Sequence, residues 1–225
     1  MNTLVPTRLR HRLDGFTLIE MIGVLAIIAI LAVIVVPKVF STIAGSRVTS
    51  AVASINSMRS AVAEFSGRYG TMPLTGADSR IDDLLITAGF LENRFLVKVG
   101  AQPGATIATG AIWANTTGTW AITTAGVAQG AQSRIICSNS VATPPSTVAG
   151  SNFRLNGVAD LPAGSRVVAA VLYNVTGAEA LDLSLRIDGD ALSNTIPTTA
   201  DDRGKVVYAT PVAGVTTAYV YLAHQ

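Results

Sequence analysis

A long apolar run near the N-terminus constrains this chain more than any other feature. The run extends from Phe16 to Val36, is 21 residues long and contains one charged residue, Glu20. A helix rises about 1.5 Å per residue, so a helix of this length spans about 31 Å, the thickness of a bilayer's hydrocarbon core. The sequence therefore predicts a membrane-spanning helix over residues 16–36.

Positive charge comes before this run. The first fifteen residues contain Arg8, Arg10 and Arg12 and a single acid, Asp14. Basic residues next to a span tend to stay on the cytoplasmic side of the membrane. We therefore expect a single-pass membrane protein whose N-terminus is cytoplasmic and whose residues after Lys38 lie outside.

Three kinds of N-terminal segment are compatible with such a start: a cleaved signal peptide, an uncleaved anchor, and a segment processed on its N-terminal side. A signal peptide has about 7–15 apolar residues and a cleavage site of small residues, whereas this run is longer and ends at Val36-Pro37-Lys38. A plain anchor gives no reason for Glu20, because an acid inside a membrane helix costs on the order of 2.5–3.5 kcal/mol. The residues favour processing on the N-terminal side.

The segment Gly15-Phe16-Thr17-Leu18-Ile19-Glu20 resembles the cleavage and methylation motif of type IV prepilins and of the pseudopilins of type II secretion systems. The resemblance continues through Ala32 and reaches Pro37, where many pilins have a helix-kinking proline, so it covers roughly the first fifty residues. An alternative interpretation of Pro37 is that it ends the membrane span, since proline removes one helical hydrogen bond.

The resemblance implies that a prepilin peptidase cuts between Gly15 and Phe16 on the cytoplasmic side and methylates the new amine of Phe16. Glycine has no Cβ, which lets the backbone approach a protease closely. The alternative interpretation of Gly15 is a flexible joint.

The resemblance also implies an assembly role for Glu20. Its carboxylate would neutralise the Phe16 ammonium of a neighbouring subunit, which would offset the burial of both charges. Glu20 lies four residues after Phe16, so both project from one face of a helix. The alternative is an incidental charge at the membrane interface.

The pattern beyond Pro37 predicts an amphipathic continuation of the helix over residues 37–66, ended by the glycines at 67 and 70. Apolar residues recur there at steps of three and four: Phe40, Ala44, Val48, Val52, Ile55, Met58, Val62 and Phe65. A second short helix is predicted to begin at Ser79 as N-cap and to end before Gly89. Asp82 and Asp83 are expected to serve its dipole and cap.

Residues beyond about 101 are rich in Gly, Thr, Ala, Val and Ser and predict strands. The clearest alternation is Leu181–Gly189, and further strands are predicted over Arg166–Tyr173, Lys205–Ala209 and Thr216–Leu222. Ala105–Gly130 fits either edge strands or exposed loops, and Ala142–Ser146 a loop or a joint. We predict an α+β fold with a leader at 1–15, a transmembrane and assembly helix at 16–36, its amphipathic continuation at 37–66 and a globular β-rich head at 67–225.

The sequence lacks the residues that several classes of protein function require. Cys137 is the single cysteine, so an intrachain disulfide or a cysteine zinc cluster is excluded, and we expect this thiol to be buried. The two histidines, His11 and His224, leave no Cys–His or Ser–His pair for the head. The net charge of +2 comes with scattered basic residues, which argues against a nucleic-acid partner. We expect the protein not to be an enzyme.

No cofactor is expected, with calcium as the alternative. Asp188, Asp190, Asp201 and Asp202 are candidate ligands, but Leu192 occupies a loop position where an EF-hand needs oxygen. The head also lacks the paired cysteines that close a loop in many type IV pilins, which favours a pseudopilin or a divergent pilin.

The prediction for function is a structural subunit of a type IV pilus-like filament or of a type II secretion pseudopilus. A charged share of 13%, against roughly 25% in ordinary domains, suits a chain that packs against lipid or copies of itself. The implied partners are the prepilin peptidase, copies of the chain itself and related pilins, the inner membrane and an assembly platform. The mature form is expected in a periplasmic or cell-surface filament. The alternative is a singly anchored extracellular binding module, such as an adhesin, that does not polymerise.

Overall fold

The computed structural model describes residues 16–75, 80–100, 111–116, 118–124, 132–140 and 152–225. The chain has two compact units, Met1–Thr42 and Ile43–Gln225. The elements are α1 Leu18–Tyr69, α2 Ile81–Thr87, β1 Ile112–Thr116, β2 Thr119–Thr124, β3 Arg134–Asn139, β4 Arg166–Thr176, α3 Gly177–Asp188, β5 Val206–Tyr208 and β6 Val215–His224. A long N-terminal helix followed by antiparallel sheets confirms the predicted α+β fold class.

The second unit, which we call the head, contains the C-terminal part of α1 as the central helix of its core. One face of this helix is buried at steps of three and four residues: Val48, Ala51, Ile55, Met58, Ala61, Val62 and Phe65. This spacing places the side chains in one stripe, as the amphipathic pattern predicted. The helix continues beyond the predicted end near Ser66 to Tyr69, and Gly70, with a φ of +81°, follows it. Glycine adopts this left-handed conformation without the strain of a Cβ.

A four-stranded antiparallel sheet in the order β3-β4-β6-β5 packs against this stripe. Successive residues of a strand point to opposite faces, so alternate residues of β4 enter the core beside α1. The other face of β4 forms a second buried cluster beneath Phe153 and Leu161. Burial on both faces explains the nearly continuous apolar sequence of β4. The strands predicted over Arg166–Tyr173, Lys205–Ala209 and Thr216–Leu222 are confirmed as β4, β5 and β6.

The stretch Ala105–Gly130 contains a two-stranded hairpin, β1 paired with β2, so the strand alternative is correct where the structure describes it. Trp113 of β1 is 3% exposed and belongs to the main core. The tryptophan side chains therefore attach the hairpin to the head. Ala142–Ser146, predicted as a loop or joint, lies outside the described residues.

The prediction of a strand over Leu181–Gly189 is wrong, because this segment forms helix α3. Thr176 and Glu179 form a capping box at its start, each side chain bonding the backbone N–H of the other residue. Ala180, Leu183 and Ser184 are buried at helical spacing, and Gly189, with a φ of +74°, ends the helix. The alternating leucines are compatible with the two-residue period of a strand and with the 3.6-residue period of a helix. The capping box and the burial of one helix face select the helix.

Helix α2 has Arg80 as N-cap residue, without a side-chain cap hydrogen bond, and the predicted cap Ser79 lies outside the described residues. Asp82 and Asp83 do lie in the first turn, but their carboxylates bond elsewhere. Asp82 pairs with the buried Arg80 at 2.8 Å and accepts the N–H of Phe95 at 3.2 Å. Burial raises the pKa of Asp82, and the Arg80 guanidinium opposes this shift. The two acids therefore tie neighbouring loops to α2 instead of capping it.

Asp83 extends these ties. It pairs with Arg94 at 2.7 Å and accepts the N–H of Ala111 at 3.1 Å. Arg80 also donates to the carbonyl of Ser133 at 2.9 Å. One turn of helix thus holds three segments that are distant in sequence.

Cys137 is free and buried, as predicted, and burial raises the pKa of its thiol to about 12. Its backbone lies on the outer edge of the sheet, because β3 is an edge strand. Thr75 occupies this position: its N–H donates to the Cys137 carbonyl at 2.9 Å, and its Oγ1 accepts the Cys137 N–H at 2.9 Å. A single residue therefore satisfies both backbone groups at the middle of the edge.

The Arg80–Asp82 pair gives a test of the head's stability. Asp82→Ala removes the carboxylate that neutralises Arg80. Both side chains are buried, with Asp82 0% and Arg80 3% exposed. We expect a loss of about 3–5 kcal/mol in the free energy of unfolding. Urea denaturation of the full-length protein in detergent, followed by tryptophan fluorescence, measures this loss.

Asp182→Ala is the matched control, because it breaks an exposed ion pair with Arg186. The side chains of Arg186 and Asp182 are 39% and 37% exposed. Its expected cost is at most about 0.5 kcal/mol. Similar losses in both variants would contradict a special contribution from the buried pair.

Candidate functional site

The first unit presents an exposed apolar helix. Among the residues that the structure describes there, the apolar side chains from Phe16 to Phe40 are exposed, with Phe16 itself at 84%. The most apolar 18-residue window of α1 has a mean hydropathy of 3.0 and no buried residue. By length and composition this helix can cross a membrane, which fits a membrane-anchored precursor. Gly15, the predicted recognition residue for cleavage, lies outside the described residues.

Thr17 and Glu20 form a capping box at the start of α1. The Thr17 N–H and Oγ1 both donate to Glu20 Oε2 at 2.7 Å, and the Glu20 N–H donates to Thr17 Oγ1 at 3.3 Å. The first N–H groups of a helix have no partner within the helix, and a capping box satisfies two of them reciprocally. The same residues that carry the cleavage motif therefore also begin the helix.

The cap leaves part of the Glu20 carboxylate accessible. Both Thr17 donors bind Oε2, and Oε1 has no hydrogen-bond partner within the described part of the chain. A carboxylate oxygen accepts strong hydrogen bonds from a cationic amine. Glu20 can therefore cap its own helix and bind a cation at the same time.

The functional residues predicted from the sequence do not include Thr17. The signal was present, because Thr-x-x-Glu before an apolar run is the usual pattern of a capping box.

Pro37 lies inside α1, so the helix itself does not end at this residue. Proline has no N–H, so the carbonyl of Val33 loses its usual helical donor. On the next turn the Ser41 and Thr42 hydroxyls both donate to the Lys38 carbonyl at 2.9 Å. The helix therefore continues through the proline, with hydroxyl groups supplementing its backbone bonds just beyond it.

Three of the four aspartates predicted as candidate calcium ligands have protein partners in the head. Asp188 accepts the N–H groups of Lys205 and Val206 at 2.8 Å, and Asp201 accepts the Asn194 N–H at 3.0 Å. Burial raises the pKa of both carboxyls, and these backbone donors oppose the shift.

Asp202 pairs with Arg154 at 2.7 Å, whereas Asp190 is exposed. Within the ranges that the structure describes, no group of three or more His, Cys, Asp or Glu residues is arranged to hold a metal. Asp188 thus connects α3 to β5, and Asp201 connects α3 to the segment that follows it.

Comparison with family models adds to this geometry. Residues 10–36 match the prokaryotic N-terminal methylation motif. The chain carries a prepilin-type N-terminus. This motif is the hallmark of type IV prepilins and pseudopilins, and it contains the capping box of Thr17 and Glu20. Comparison of the chain with curated proteins and with solved structures finds no match. The prepilin-type motif covers the start of the chain, and the head must be interpreted from its own contacts.

The capping box predicts a local effect of Thr17 on helix α1. Thr17→Val keeps the shape of the side chain but removes the hydroxyl, and loss of such a cap costs about 1 kcal/mol. We expect the Glu20 amide to exchange its hydrogen about fivefold faster in the uncleaved chain, measured by NMR in detergent micelles. Thr17→Ser, which retains the hydroxyl, should behave like the wild type. Unchanged exchange in Thr17→Val would contradict the cap.

Proposed function

We propose that this protein is a structural subunit of a type IV pilus-like filament or of a type II secretion pseudopilus, and that it is not an enzyme. The observation that carries the proposal is the methylation motif at residues 10–36, which contains most of the exposed apolar segment of α1. A helix that exposes so much apolar surface requires either lipid or other apolar helices around it. When the subunit leaves the lipid, polymerisation surrounds its helix with the apolar helices of other copies.

Maturation begins on the cytoplasmic side of the inner membrane. A prepilin peptidase cuts after Gly15 and methylates the amine of Phe16. The cut removes Arg8, Arg10 and Arg12 and creates one positive charge at the end of the apolar run. The chain remains single-pass, with its head outside, until an assembly platform moves it into a periplasmic or cell-surface filament.

Glu20 directs docking in this scheme. An incoming subunit places its Phe16 ammonium against the Glu20 carboxylate of a neighbour, and Oε1 is the oxygen that the Thr17 cap leaves open. A lone buried charge would be strongly unfavourable, so pairing selects the axial position at which both charges are neutralised. The presence of Glu20 favours a position in the body of the filament over its tip, because a tip subunit has no neighbour above it.

The first test of this proposal is N-terminal peptide mass spectrometry on the protein from its native cells. We expect a mature chain that begins at methylated Phe16 and that disappears when the prepilin peptidase is deleted. A chain that retains residues 1–15, or that is cut beyond Val36, would contradict the prepilin function.

Glu20→Gln separates the charge from the cap. Glutamine is accepted in a capping box, so the start of the helix is retained while the carboxylate is lost. We expect filaments to be lost, or incorporation to fall strongly, when sheared cell-surface or periplasmic fractions are compared with membranes by immunoblot.

Glu92→Gln, at an exposed glutamate of the head, is the matched control and should assemble normally. A protein whose helix is only a tether would keep its function in both variants. That outcome would favour the singly anchored binding module.

A further inference from the structure

The head contains a cleft between the end of α1 and the β1–β2 hairpin. Its volume is about 560 Å³, within the roughly 300–1,000 Å³ typical of small-molecule sites. Its walls include three aromatic side chains and two threonines besides Arg166: Tyr69, Trp113, Trp120, Thr71 and Thr119. We call this the aromatic cleft.

The aromatic wall is held by ring contacts. The Tyr69 and Trp120 rings meet edge to face with centroids 5.6 Å apart, and Phe65 lies behind Trp120 at 6.2 Å. Phe90 contacts Tyr69 at 6.2 Å. Phe65 is fully buried in the main core, so the wall is fixed to α1. Preformed aromatic surfaces bind ligands with apolar faces at little cost in conformational entropy.

Arg166 gives the cleft its charge. Among the described lining residues it is the single ionised side chain at neutral pH. Its Nη1 donates to the Met72 carbonyl at 2.8 Å, which positions the guanidinium. Its Nε and Nη2 have no hydrogen-bond partner within the described part of the chain. A guanidinium with donors left over binds a carboxylate more strongly than a neutral oxygen.

Further polar groups surround this charge. The Nε1 atoms of Trp113 and Trp120 are buried and have no acceptor among the described residues. An indole N–H usually finds a partner when it is buried. A small movement on binding would let a ligand oxygen accept from these donors, and the Thr71 and Thr119 hydroxyls add groups that both donate and accept.

We propose that the aromatic cleft binds a carboxylated sugar. A sugar ring has C–H faces for the aromatic wall and hydroxyls for the threonines and indoles, and its carboxylate meets Arg166. The charge distinguishes this ligand from a nucleic acid, because one arginine cannot follow the repeated phosphates of a strand. The proposal is independent of filament assembly, since every residue in it belongs to the head.

Tryptophan fluorescence can report binding at this site. Its two tryptophans, Trp113 and Trp120, both line the cleft. We would titrate the full-length protein, in a detergent without a sugar headgroup, with glucuronic acid and separately with glucose while recording tryptophan emission. We expect a saturable change with glucuronic acid and at least tenfold weaker binding of glucose, because glucose lacks the carboxylate.

Arg166→Gln should weaken glucuronic acid binding at least tenfold and should weaken glucose binding much less. Arg166→Lys, which keeps the charge but loses the planar fork, should lie between this variant and the wild type. The matched control is Arg47→Gln, at an exposed arginine of α1, which should bind like the wild type. Circular dichroism establishes that each variant is folded, and the ratio of the two sugars in the wild type tests the proposal without any substitution.

Three results would overturn the proposal. The first is the absence of a saturable change with glucuronic acid. The second is equal affinity for glucose and glucuronic acid in the wild type. The third is tighter binding of a short single-stranded oligonucleotide than of glucuronic acid, which would identify the cleft as a base-stacking site.

Discussion

Burial of one helix face organises the head. The stripe from Val48 to Phe65 packs against one face of the four-stranded sheet, and α3 packs against the same core. Apolar burial is the dominant favourable term in folding, so the other contacts of the head are arranged around this surface. The side chains of Asp82 and Asp83 then bond to the segments around Phe95 and Ala111, which are themselves part of this core. The exposed apolar segment and the globular head thus share one helix that is amphipathic only in its second part.

Strong periodic patterns carried most of the fold prediction. The apolar run and the amphipathic spacing after Pro37 each fit one helical structure well, and the apolar, valine-rich sequences of β4 to β6 indicate strands. The strand prediction for Leu181–Gly189 was wrong because alternating leucines are also compatible with a helix. The capping box at Thr176, which begins the helix, lies outside the segment that alternates. Local pattern alone cannot choose when the deciding contact comes from a neighbouring residue.

The two sites differ in how far the sequence reveals them. Glu20 and its neighbours are contiguous, so a motif contains the whole site, and the missed role of Thr17 lay within that motif. The aromatic cleft brings together residues from α1, the hairpin and β4 that are separated by up to about a hundred positions. Such a site depends on strand pairing and helix packing, and no spacing along the chain encodes it.

Thr75 covers part of the open edge of β3 by bonding to the backbone of Cys137. Open sheet edges invite pairing between chains, and proteins commonly block them. In the filament that we propose, the heads would stand at high local concentration, and strand pairing between their edges would compete with packing through the helices. An approaching strand would have to displace Thr75 from both backbone groups of Cys137. One threonine thus blocks the middle of this edge, where a second chain would otherwise add a strand.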